Sequence, residues 1–110
     1  MNWSGLPHIS TVDRISDEDR RIMSEVREVL ERNNALNRFG VVLLHSHFDL
    51  ADGELLVESV DTTTRTLQTV VVSRSAAAEA DELVPTSWRL DGSEPVPLSY
   101  CWRSGDYHMQ

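Results

Sequence analysis

The stretch Gly40–Asp61, GVVLLHSHFDLADGELLVESVD, decides how this chain folds. It reads as a β-hairpin. The first arm, Val41 to Phe48, is almost wholly apolar, and the second runs from Glu54 to Val60. Between them lies Leu50-Ala51-Asp52-Gly53, with glycine where a turn often needs positive φ. An arm that is apolar on both faces suits a central strand. It carries His45 and His47, two of the four histidines. Side chains two residues apart on a strand share a face. The pair is therefore expected to line a partly enclosed pocket, since burying an imidazole without a partner costs about 1–3 kcal/mol.

The residues before the hairpin predict one helix. Ser16 can cap, and Asp17, Glu18 and Asp19 fill a first turn where the helix dipole favours negative charge. Apolar residues follow at Ile22, Val26, Val29 and Leu30, with Met23 beside them. That spacing marks one helical face, expected to be buried, over Asp17 to about Asn33. The remaining face is charged and should carry intrahelical pairs such as Glu28–Arg32. Asn33-Asn34 ends the helix, and Leu36 and Phe39 are expected to dock its exit. Residues 1–15 read as an extended arm, too apolar for a free tail. His8 reads there as an exposed loop histidine.

Beyond the hairpin, Asp61-Thr62-Thr63-Thr64-Arg65 reads as a turn. Strands are predicted at Thr66–Arg74, Thr86–Leu90 and Val96–Arg103, and a loop or short helical turn at Ser75–Pro85. Pro95 and Pro97 suit an edge or the start of a strand. Residues 104–110 read as a frayed tail, where Asp106, Tyr107 and His108 should be mobile. The fold class is α+β: one N-terminal helix packed on a mainly antiparallel sheet of about five strands. A chain of 110 residues, 40% hydrophobic and 25% charged, is expected to form a single domain over 1–110.

The net charge of −8 argues against nucleic acid or an anionic membrane as partner. A single cysteine, Cys101, excludes an internal disulfide and a multi-cysteine zinc site. In the run Tyr100-Cys101-Trp102 it reads as a buried, inert thiol. Trp88, Tyr100 and Trp102 read as core or interface. No apolar run is long enough to span a membrane, and no leader is visible, so a cytoplasmic location is expected.

Two neutral imidazoles on one face are good ligands for a divalent metal ion, and a carboxylate would complete the set. The spacing G-x4-H-x-H-x6-E, Gly40 through Glu54, is similar to the cupin metal motif, though cupins have a longer gap after the glycine and a shorter one before the glutamate. The hairpin register sets the third ligand. With Asp49 opposite Glu54, His45 lies opposite Glu58, and His45, His47 and Glu58 share a face. With a bulge at Gly53, Leu50 pairs with Glu54 and Glu58 points away. Without metal, His45 or His47 could act as general base or acid, oriented by Asp49, Glu54 or Glu58.

The runs LLHSHFDL, GE-LLVE and PTSW also resemble a stretch in small uncharacterised proteins of fungi and some bacteria, over roughly residues 38–103. That resemblance implies only that the hairpin is the group's distinguishing element. It brings no activity and no catalytic residues.

Two functional readings follow. One is a small soluble enzyme or small-molecule-binding protein with a His-x-His pocket, using acid–base or metal-assisted chemistry through His45, His47, Glu58 and Asp49. The other is a non-catalytic interaction module that forms a homodimer, because Val70-Val71-Val72, Trp88 and Trp102 offer more apolar surface than one helix covers.

Overall fold

The computed structural model describes residues 5–77 and 83–103. Trp3 in the expected arm, the middle of the Ser75–Pro85 loop and the expected tail at 104–110 lie outside the described residues. The described chain falls into two compact units, Leu6–His47 and the residues from Phe48 onward together with Gly5.

In the first unit, helix α1 spans Asp17–Arg32. Its start is a reciprocal cap. The Ser16 hydroxyl accepts from the Asp19 amide at 3.2 Å, and the Asp19 carboxylate accepts from the Ser16 amide at 2.8 Å. Those bonds, the backbone one foremost, hold the Asp19 carboxyl below its ordinary range. Its folded-state pKa is depressed, so its contribution to stability is present at neutral pH and is lost as pH falls through that lowered value. Ser16→Ala should cost about 1 kcal/mol, read from a urea melt of the helical circular dichroism signal.

The other end is a complete Schellman turn. Asn34 takes the left-handed conformation, with φ 56°. Its amide donates to the Glu31 carbonyl at 3.1 Å, and the Ala35 amide donates to Leu30 at 2.8 Å. Asparagine serves where glycine is commonest, because its short polar side chain tolerates positive φ. The charged face pairs Arg20 with Asp17, Arg21 with Glu18 and Glu25, and Arg27 with Glu31. Glu28–Arg32 is not among these pairs.

The apolar face of α1 is not buried as expected. Ile22 and Val29 are 45% and 46% exposed, and Met23, Val26 and Leu30 are half-buried. Among the described residues of this unit only Leu6 and Ser46 are buried, so no layer within it receives the stripe. Leu36 and Phe39, expected to dock, are exposed as well.

The second unit holds the sheet: β1 Glu54–Asp61, β2 Thr66–Ser73, β3 Leu83–Arg89 and β4 Val96–Trp102, with a single helical turn α2 at Arg74–Ala77. The spatial order is β2-β1-β4-β3. Two antiparallel hairpins, β1/β2 and β3/β4, are joined side by side through a parallel β1/β4 pairing. The fold is α+β with a mainly antiparallel sheet, and it has four strands, not five.

The strand expected at Val41–Phe48 does not form; that segment has one isolated bridge, at Ser46. The reason is occupancy. Glu54 pairs with Ser73, and Glu58 is flanked by Thr69 and Cys101, so β1 has a neighbour on each side. Neither hairpin register considered from the sequence is realised. The actual hairpin closes through Thr62–Arg65. There the Asp61 carboxylate accepts from the amides of Thr63 and Thr64, and Arg65 supplies positive φ at 57°. Gly53 does take positive φ, 85°, in a turn that starts β1. In that turn the Glu54 carboxylate accepts from the Ala51 amide at 2.8 Å.

One face of the sheet carries the core. Val57 is fully buried, Leu55 is buried beside it, and Val72, Leu83, Tyr100 and Trp102 pack around them. β4 is an interior strand, and of the two positions expected for its prolines, an edge or the start of a strand, they take the second: Pro95 precedes β4 and Pro97 is its second residue. Pro97 is nonetheless accommodated, because β4 pairs with β1 only at Tyr100 and Cys101, beyond the proline. Pro85 falls on β3, an edge strand.

Candidate functional site

Ser46 organises the histidines. It is buried, and its hydroxyl donates to the Leu6 carbonyl at 3.2 Å. Its amide donates to Pro7 at 2.8 Å, and its carbonyl accepts from the Ile9 amide at 2.8 Å. This short parallel bridge lays His8 alongside His45-Ser46-His47. The rings of His45 and His47 meet edge to face with centroids 5.1 Å apart, and those of His8 and His47 are 6.5 Å apart. The pair expected from the sequence does come together, through a bridge and a bend in place of a strand. His45 is half-buried, and His47 and His8 are exposed.

Hydrogen bonds assign the tautomers. His8 Nδ1 accepts from the Ser10 amide at 3.0 Å, so its proton sits on Nε2, which donates to the His47 carbonyl at 3.1 Å. Both nitrogens of His8 are thereby engaged. His45 Nδ1 donates to the Leu43 carbonyl at 2.6 Å. Its Nε2 therefore carries the lone pair and can accept a proton or bind an electrophile.

The carboxylates sit in the other unit. Asp49 is exposed. Glu58, expected as third ligand or orienting base, is half-buried on β1 and accepts a hydrogen bond from the Cys101 thiol at 2.8 Å. The Thr86 hydroxyl lies 3.4 Å from the same sulfur. Burial pushes the Cys101 thiol above its ordinary range, and the bond to Glu58 adds to that. A raised folded-state pKa favours the neutral thiol. Its contribution to stability is present below the unfolded value and is lost as pH rises toward the folded one. Cys101 should therefore react with iodoacetamide at pH 8 more slowly than free cysteine. Glu58→Gln should speed the reaction, as followed by mass spectrometry. Among the described residues, no group of three or more His, Cys, Asp or Glu side chains could hold a metal ion.

Two contacts were beyond sequence reasoning. The Glu58–Cys101 bond joins residues 43 apart through the parallel pairing, for which no local pattern exists. His8 joins the cluster across 39 residues; its only local signal is Ser10, placed to bind the ring.

The class defined so far is an α+β protein with a small mixed sheet and a surface cluster of three histidines. No helix among the described residues is long and apolar enough to cross a membrane. No protein-family model, curated protein or solved structure matches the chain.

Proposed function

We propose that this chain is a non-catalytic interaction module that works as a homodimer. The observation carrying the reading is the apolar run after α1. Leu36, Phe39, Val41, Val42 and Leu43 are 46%, 47%, 59%, 58% and 46% exposed. A soluble monomer seldom shows so many large apolar side chains in one stretch, and such patches mark interaction surfaces. The acidic balance of the chain keeps other surfaces apart, whereas this run has no acidic residue and carries Arg38 as its one charge, with the guanidinium over the Phe39 ring. Light scattering on purified protein over a concentration series tests the reading. A mass rising from 12.5 kDa toward twice that value supports it, and a constant monomer mass refutes it.

A second reading rests on His45. Its Nδ1 is tied to a backbone carbonyl, the arrangement that fixes a histidine as base or ligand through Nε2. With His47 beside it, the pair could hold a small-molecule ligand, or a divalent metal ion whose remaining positions are filled by water. Dialysis against zinc followed by elemental analysis tests this. Stoichiometric metal that disappears in His45→Ala favours it, and metal retained by His45→Ala or never bound counts against it.

A further inference from the structure

We infer that residues 41–45 are an unpaired β-strand completed by the same segment of a second copy, antiparallel across a two-fold axis. This rests on the dimer reading above and specifies its geometry.

Three observations carry it. Among the described residues, no backbone–backbone hydrogen bond involves Gly40 through His45, although the chain on both sides is bonded: Phe39 to Ala35, and Ser46 to Pro7 and Ile9. Among the described residues the segment thus offers amides and carbonyls with no backbone partner, the Leu43 carbonyl being the one taken by a side chain, His45 Nδ1, and a strand edge presents such groups to a partner chain. Its residues, Val41-Val42-Leu43-Leu44, have side chains that suit a pleated surface.

The charge pattern selects a second copy as the occupant. The whole chain carries −8, so two copies repel through most of their surface. From Phe39 to Phe48 there is no Asp, Glu, Lys or Arg, and two copies can meet there without opposing like charges. Antiparallel self-pairing centred on Leu43, with Val42 and Leu44 as the hydrogen-bonded pair, joins one edge of each copy across the two-fold axis.

Complete burial of the exposed parts of Leu36, Phe39, Val41, Val42 and Leu43 in both copies would remove at most about 1,000 Å², the size of a small, readily dissociating interface.

The test combines amide hydrogen exchange with sedimentation on the full chain. The amides of Val42 and Leu44, which face the partner in this register, should be protected at high protein concentration and exchange freely on dilution, in step with dissociation. Val42→Pro removes an amide that has no backbone partner among the described residues. It should abolish the dimer while leaving the helical circular dichroism signal unchanged. Val42→Ala keeps the amide and should still dimerise, more weakly. A dimer whose Val42 and Leu44 amides stay unprotected, or one that survives Val42→Pro, overturns the strand pairing while sparing the dimer reading. A monomer at every concentration overturns both.

Discussion

Val57→Asp is expected to unfold the sheet. Val57 is the one large side chain of the described residues with no exposed surface, and it lies on an inner strand between Val70 of β2 and Tyr100 of β4. A carboxylate there meets Leu55 and the surrounding Val72, Leu83, Tyr100 and Trp102, none of which can neutralise it. The expected loss is about 4 kcal/mol or more, a large part of a small domain's total stability. Val57→Ala keeps the site apolar and should cost about 2 kcal/mol through the cavity alone. Chemical denaturation followed by tryptophan fluorescence reads both, because Trp102 belongs to the same cluster. By contrast, Val26→Asp on α1 should cost the monomer well under half as much, since Val26 is only half-buried.

The second large effect concerns association. Val41→Asp puts a carboxylate from each copy into Phe39–Phe48, a segment with no Asp, Glu, Lys or Arg. Val41 is more than half exposed in the single chain, so the folded monomer should tolerate the change within about 0.5 kcal/mol. The dimer should not. Desolvating the two carboxylates should weaken it by about 3 kcal/mol, roughly a hundredfold in Kd. Lowering the pH below the carboxylate range should restore part of the affinity, because the protonated side chain is neutral.

Local chemistry made much of the fold legible in the sequence. Ser16 and the acidic first turn placed the start of α1, and Asn33-Asn34 its end, because capping depends on a few adjacent residues. The strands at Thr66, Thr86 and Val96 followed from β-branched runs bounded by turn residues, and they stand within a few residues of the observed limits. The hairpin of residues 41–61 failed for a non-local reason. Nothing in LLHSHFDL records that β1 would take β2 on one side and β4 on the other. An apolar run reads the same whether it fills a sheet or lies open for a partner.

The site was legible to a similar depth. His45 and His47 do meet, as their spacing suggested, but Ser46 and the bridge to His8 bring them together. Glu58 was marked as functional from an assumed register. Its partner is Cys101, brought beside it by a parallel pairing that no spacing rule reveals. The apolar stripe of α1 was also legible as a stripe. Its neighbour was not, because periodicity shows which face is apolar and says nothing of what covers it.

Sedimentation equilibrium of the full chain, from about 1 to 100 µM, tests the central claim most directly, since specific interfaces of modest size dissociate in that range. The account predicts a reversible monomer–dimer equilibrium in the wild type and a monomer in Val41→Asp at every concentration. A wild-type chain that stays at 12.5 kDa up to the highest concentration, or a Val41→Asp variant that associates as the wild type does, would contradict it.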